Sequence, residues 1–352
     1  MHPHHHAVES AGKPAAIMAG TGEALTYAEL ERRANQGAQL LRTLGIGQGA
    51  SICIMIDNDL AYFELYWTAQ RAGVYFTPVS TKLTAEEVAY IVEDSDSKLL
   101  ILGANMPAAA DLVAGQAALM PGLTAILSHG ALAGVRRWDD EREKMPAELI
   151  ADTAAGIHMF YSSGTTGRPK GVRLPFAGGP FDAPSPYAEG FKAAFGDLLQ
   201  GVYLSPAPLY HAAPLVFGTV IQRFGGTVVV MRKFDPEAML AAIEKYRVDF
   251  VQMVPTMFVR LLKLPHDVRA RYDVSSLKFV SHGAAPCPVD VKHKMIAWWS
   301  PIIHEYYSGS EGNGSTGISS EEWLRKPGSV GRAQYCTVHI CDEGGEELPP
   351  GQ

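Results

Sequence analysis

Cysteine is scarce in this chain: Cys53, Cys287, Cys336 and Cys341 are the only four in 352 residues. No two form a C-x-x-C pair or a zinc-type spacing, so each reads as structural and the set fits a reduced, cytoplasmic compartment. Long apolar runs are missing too. None approaches the roughly 18 residues of a membrane span, which argues against a transmembrane segment and leaves peripheral membrane contact open. Positive charge is not in excess: the formal net charge of −7 argues against general nucleic-acid binding. The opening Met-His-Pro-His-His-His is too polar for a signal peptide. Four histidines interrupted by Pro3 suit a degenerate affinity tag or a metal-binding tract, and neither reading assigns them a function. No internal repeat is visible.

What is present is globular. Hydrophobic residues make up 47% and charged residues 19%, and the length suits one large or two ordinary domains. Strand-like and helix-like stretches alternate. Thr26-x-x-Glu29 and Thr84-x-x-Glu87 are capping boxes that open helices. Ser51–Ile56, 74–79, 98–102, 227–231, 249–253, 277–281 and 302–306 read as short apolar strands. The pattern predicts an α/β fold with two mostly parallel α/β subdomains over residues 1–325. Residues 173–190 are rich in Pro and Gly and predict a mobile surface loop. From 326 to 352 short strands such as 337–341 predict the start of a small β-barrel subdomain.

The densest chemistry lies in Tyr161-Ser-Ser-Gly-Thr-Thr-Gly-Arg-Pro-Lys-Gly-Val172. Glycines let backbone N–H groups turn inward as a nest for anions. Four hydroxyls add donors, and Lys170 supplies a mobile positive charge. A plain polar turn accounts for the glycines but not for hydroxyl pairs and a lysine together. The spacing excludes a Walker A loop, in which the lysine directly follows glycine and a helix begins. Here Arg168 and Pro169 intervene, and Pro169 cannot continue into a helix. The loop follows a predicted strand over residues 156–160, where α/β proteins tend to place ligand loops.

Three further segments sit after predicted strands or in loops. In Glu305-Tyr-Tyr-Ser-Gly-Ser-Glu-Gly312, Glu311 suits Mg²⁺, which takes one or two carboxylates beside phosphate oxygens. Ser310 suits a phosphate, and the Tyr307 ring offers a flat face to a base. In His282-Gly-Ala-Ala-Pro286, small residues permit close approach of a planar ring. Pro208-Leu-Tyr-His211 places an aromatic residue beside a histidine. Each segment alone also reads as an ordinary turn.

Together these segments resemble the adenylate-forming superfamily, specifically the acyl-CoA synthetases of fatty-acid-CoA ligase type, over essentially the whole chain. YSSGTTGRPKGV, PLYH at 208–211, HGAAP at 282–286, YYSGSEG at 306–312 and GSVGR at 328–332 occur in that family's order. The resemblance implies that Ser162, Ser163, Gly164, Thr165, Thr166, Gly167 and Lys170 hold the β- and γ-phosphates of ATP. It implies that Gly283, Ala284, Ala285 and Tyr307 sandwich adenine, that Ser310 meets the α-phosphate and that Glu311 binds Mg²⁺. His211 is implied beside the acyl carboxylate, so that His211, Lys170 and Glu311 form the catalytic set. Ser308 and Ser310 depart from the family's Tyr-Gly-x-Thr-Glu.

The implied activity is that of an acid–thiol ligase with a carboxylic acid, ATP and coenzyme A as substrates. The acid would be a fatty or other bulky one, with an aryl acid of cinnamate type as the rival. A nucleotide- or acyl-AMP-binding module without turnover is the reading from another class. The family continues past the position of Gln352 into a ribose-binding aspartate, a hinge and a small domain with a catalytic lysine. The resemblance therefore implies that these 352 residues form the large N-terminal domain, weakly active or inactive alone. A charge-stabilising lysine of that kind is typically worth about 10²–10³ in rate. Homo-oligomerisation stays open.

Overall fold

In the computed structural model, residues 2–162, 168–184, 186–349 and 351 are described, without the side chains of Pro186 and Tyr187. Among these residues the strands fall into a large sheet of nine, a small sheet of five and a two-stranded hairpin. Six neighbouring strands of the large sheet run parallel, in the order Ile303–Ser308, Phe279–His282, Phe250–Met253, Val202–Ser205, Thr227–Val230 and Pro14–Met18. Antiparallel strands Ser315–Ile318 and Arg332–Gln334 extend one edge, and Ala24–Thr26 extends the other. The small sheet is all parallel: Ala125–His129, Ser97–Gly103, Ser51–Met55, Tyr75–Pro78 and Ile157–His158. Continuous apolar runs such as Thr227–Val230 and Ser51–Met55 are buried at every residue, as strands covered on both faces must be.

Every residue of the helix Ala61–Arg71 is buried. Helices buried all round lie inside a core rather than on a surface. One core cluster contains its Phe63, Leu65 and Trp67 with Ile52 and Phe76 of the small sheet and Tyr203, Val228 and Phe250 of the large. The two sheets therefore share an interior. Trp67 Nε1 donates to Gln222 Oε1 at 2.7 Å, tying this helix to the helix Ala212–Arg223.

The expected α/β class with mainly parallel sheets holds, and both capping boxes form: Thr26 with Glu29, and Thr84 with Glu87. Three local expectations need correction. The predicted strand at 156–160 divides: Ile157–His158 pairs with Tyr75–Phe76, whereas Phe160–Ser162 leaves the sheet to pair with Lys170–Val172. The Pro/Gly segment at 173–190 is not loop throughout, and its described residues make specific contacts. Tyr75 donates to Leu174 O at 2.7 Å, Ala155 N–H donates to Gly179 O at 2.8 Å, and Phe181 is buried against His2. A helix then begins at Pro186, a residue suited to a first helical turn. Residues 337–341 form no strand beyond a single bridge from Cys341 to Glu347. Val338 and Ile340 are 50% and 60% exposed, so nothing buries the alternating face that such a strand would need.

The histidine tract is part of the fold. His2 caps a short helix, Pro3–Glu9, and its ring is fully buried edge-on to Trp67 and Phe181. Burial and the neighbouring Arg71 and Arg223 push its pKa well below the usual histidine range. His4 pairs with Glu31 at 2.8 Å, and His6 Nε2 lies 3.0 Å from Arg223 O. No helix among the described residues is long and apolar enough to cross a membrane.

Candidate nucleotide and acid site

In a parallel sheet every strand delivers its following loop to the same edge, and ligands of open α/β sheets collect there. The loops after Val202–Ser205, Phe279–His282 and Ile303–Ser308 all leave the carboxyl edge of the large sheet. They carry His211, then Gly283 to Ala285, then Ser310 and Glu311. The structure thus brings three of the four predicted segments to one rim.

Gly283 is buried where the loop passes under the neighbouring strand. A Cβ there would lie 2.8 Å from both the ring and the backbone O of Tyr306. The next residue, Ala284, has φ +68°. Alanine in the left-handed region costs about 1–2 kcal/mol, and such outliers concentrate at ligand sites. Ala284 and Ala285 are exposed, so the loop presents a small, open face. Tyr307 stands beside it on the outermost parallel strand and is 67% exposed, so its ring is open to a planar ligand. Its neighbour Tyr306 is held from below by Gln252, whose Nε2 donates to the Tyr306 hydroxyl at 3.3 Å.

Ser310 and Glu311 occupy an exposed turn closed by Gly312 N–H to Gly309 O at 3.3 Å. Ser308, the departure from the family pattern, donates from Oγ to Gly314 O at 2.9 Å. Its side chain fastens the far side of this turn. Among the described residues no cluster of three His, Cys, Asp or Glu side chains could hold a metal unaided. Mg²⁺ does not require one, because substrate phosphates complete its shell. A single exposed carboxylate at Glu311 fits that need.

His211 ends a turn closed onto Pro208 O at 3.1 Å and occupies the N-cap position of the helix Ala212–Arg223. Its ring packs on Tyr210 at 4.6 Å. Surrounding protein lowers its pKa, and Lys82 repels the charged form as well. The imidazole is therefore neutral near pH 7 and able to accept or donate one hydrogen bond.

Ser163, Gly164, Thr165, Thr166 and Gly167 lie outside the described residues. Their flanks are described. Ser162 and Lys170 face one another as an antiparallel pair, with Ser162 Oγ donating to Lys170 O at 3.5 Å. Lys170 is exposed, free of the core and able to reach an anion. Gly171 passes so close to Met159 and Tyr161 that a Cβ would lie 2.5 Å from the methionine methyl.

One residue that sequence reasoning missed organises the rim. Asn58, buried, donates from Nδ2 to Ala207 O and Met231 O, both at 2.9 Å, and accepts from Leu209 N–H at 2.8 Å. It thus fixes the loop that carries His211 from a position just past the small-sheet strand Ser51–Met55. An Asn-Asp pair at a strand end was the available signal, but its partners on that loop lie about 150 residues away in sequence.

Residues 3–352 match the AMP-binding enzyme family. The chain belongs to that family. Feruloyl-CoA synthase of an Amycolatopsis species is 32% identical over 335 residues, covering 94% of this chain and 64% of the relative. Long-chain-fatty-acid–CoA ligase FadD13 of Mycobacterium tuberculosis is 29% identical over 313 residues, covering 89% and 60%. Among solved structures, the inhibitor-bound N-terminal domain of FACL13 from Mycobacterium tuberculosis aligns with TM-score 0.82 and 26% identity. That alignment covers 98% of this chain and 85% of the other. The chain spans less than two thirds of the length of the two ligases.

Proposed function

We propose that this chain is the nucleotide- and acid-binding part of an ATP-dependent carboxylic acid–CoA ligase. The observation that carries the reading is the shared rim, where an open face at Gly283–Ala285 and the exposed Tyr307 sit beside Ser310 and Glu311. Membership of the AMP-binding enzyme family supports a nucleotide in that place. Adenine would lie between the 283–285 backbone and the Tyr307 ring, and Ser310 would donate to the α-phosphate. Ser162 to Gly167 and Lys170 would take the β- and γ-phosphates, and Glu311 would hold Mg²⁺, which neutralises phosphate charge.

In the proposed first step a carboxylate oxygen of the acid attacks the α-phosphorus, and pyrophosphate leaves as the acyl-adenylate forms. In the second, the sulfur of CoA attacks the acyl carbonyl and AMP leaves. Nucleotidyl transfer of this kind depends on positioning and charge neutralisation, so no nucleophilic side chain is required. Neutral His211 would shape the carboxylate's side of the site without competing for its charge. The reading extends to an acid of fatty or other bulky type and to a cytoplasmic location, which four free cysteines suit. A second reading, an aryl acid, is favoured by the higher identity to a feruloyl-CoA synthase.

Carboxylate-dependent ATP–pyrophosphate exchange tests the proposal in this chain and in a C-terminally extended form. Exchange with palmitate supports the fatty-acid reading, and exchange with ferulate supports the aryl one. Nucleotide binding without exchange in the extended form would instead indicate a binding module. Lys170→Ala should weaken ATP binding far more than Cys287→Ala. Equal effects would remove the phosphate site from the proposal.

A further inference from the structure

The helix Ala85–Asp94 of the small sheet ends against the phosphate hairpin. Its residues Tyr90 and Asp94 are four apart and so share one face. Asp94 holds one strand of the hairpin, and Tyr90 holds the residue that precedes the other. Asp94 Oδ2 accepts from the Tyr161 hydroxyl at 2.6 Å, on the outgoing strand. The Tyr90 hydroxyl donates to Pro169 O at 3.2 Å, at the foot of the returning strand. The Tyr90 ring also lies under the Arg168 guanidinium at 5.1 Å, within cation–π range. One residue past the helix, Ser95 O accepts from Arg173 at 3.3 Å, and Arg173 itself stacks on Tyr75 at 4.3 Å.

The Asp94 carboxylate is exposed, but the two tyrosine rings are not free. Tyr90 and Tyr161 both rest on the same core cluster, so their rings are fixed from beneath. Burial and the Asp94 carboxylate hold the Tyr161 hydroxyl in its protonated, donating form. The hairpin has only three residues in each strand, and a two-stranded ribbon of that size is not stable by itself. Its position has to come from elsewhere.

We propose that Tyr90 and Asp94 are positioning residues for triphosphate binding: together they fix the hairpin and so set where Ser162 and Lys170 stand. This rests on the functional reading above. Neither residue lies at the rim that would hold adenine and the α-phosphate. Their loss should therefore discriminate between nucleotides, weakening ATP, which needs the hairpin, and sparing AMP, which does not.

Isothermal titration of ATP and AMP against the wild-type chain and the Tyr90→Leu/Asp94→Ala variant tests this. ATP affinity should fall about ten-fold or more while AMP affinity stays within about two-fold, with the milder Tyr90→Phe in between for ATP. Without nucleotide, trypsin should cut faster after Lys170 and Arg173 in the double variant. Unchanged ATP affinity, or equal loss of both nucleotides in a variant with wild-type thermal stability, overturns the inference. If the double variant does not fold, Tyr90→Phe carries the test, and equal ATP affinity there overturns it. A wild-type chain that binds neither nucleotide overturns the functional reading itself, and the inference with it.

Discussion

Lys292 Nζ lies 2.6 Å from Glu305 Oε2 in the interior. Lys292 is fully buried and Glu305 nearly so, and His282 approaches the same carboxylate at 3.5 Å. Glu305 and His282 are cross-strand neighbours, whereas Lys292 comes from the covering helix Val289–Trp299. The pair thus joins the strand Ile303–Ser308, and through His282 the strand that leads into the Gly283 loop, to the helix over them. Burial lowers the pKa of Lys292, and Glu305 opposes that shift.

Removing one partner of a buried pair strands a charge, which typically costs about 3–5 kcal/mol. Glu305→Gln should therefore lower the urea midpoint strongly. Adding Lys292→Met should recover most of the loss, because the stranded ammonium is gone. A double variant no more stable than Glu305→Gln would show that the charge is not the source of the loss.

Asn58 makes three hydrogen bonds across the seam between the sheets. Asn58→Ala would leave the Leu209 N–H and two carbonyls unsatisfied, a loss of about 2–4 kcal/mol at roughly 1 kcal/mol or more per group. The loop that carries His211 should loosen at the same time. Hydrogen exchange of the Leu209 amide measures this directly, and wild-type protection in the variant would contradict it.

Gly283→Ala meets the backbone of Tyr306 as well as its ring, and backbone cannot swing aside. The strand Ile303–Ser308 must shift, and Tyr307 with it. Nucleotide affinity should fall about ten-fold, equivalent to roughly 1.4 kcal/mol, for AMP and ATP alike. Calorimetric titration showing selective loss of ATP would contradict a role at the base.

Burial, with Lys292 nearby, pushes the pKa of His282 down to about 3. In the unfolded chain it would titrate near about 6.5. Between those values the unfolded state binds a proton that the folded state does not. The stability from this group is complete above about pH 6.5 and falls by about 1.4 kcal/mol per pH unit as pH drops toward 3. Urea melts from pH 7 to pH 4 should contain that slope beside the contribution of buried His2, and His282→Phe should reduce the total by about that amount. An unchanged slope in the variant would remove His282 as its source.

Much of this architecture was legible because its signals are local. Thr84 and Glu87 are three residues apart, and the alternation of apolar runs with capped helices is enough to predict parallel α/β sheets. The segments at 208–211, 282–286 and 306–312 were legible as short motifs after strands, and the structure brings them to one rim. Pro14–Met18 was not, because Pro-Ala-Ala-Ile-Met lacks β-branched residues apart from Ile17 and is a strand through its pairing with Thr227–Val230 and Ala24–Thr26. Tyr90 and Asp94 were silent, and Asn58 offered only its place at a strand end. Each acts on a segment 67 to 173 residues away, and nothing in its own neighbourhood announces the partner.

The hairpin is anchored to the small sheet, whereas the face proposed for adenine belongs to the large one. Their separation is therefore a length that neither sheet sets alone. It is fixed by the common interior around Trp67, whose indole is bonded to Gln222. That interior acts as a gauge block: a core substitution far from any ligand, by changing the spacing of the sheets, would alter which phosphate chain spans them.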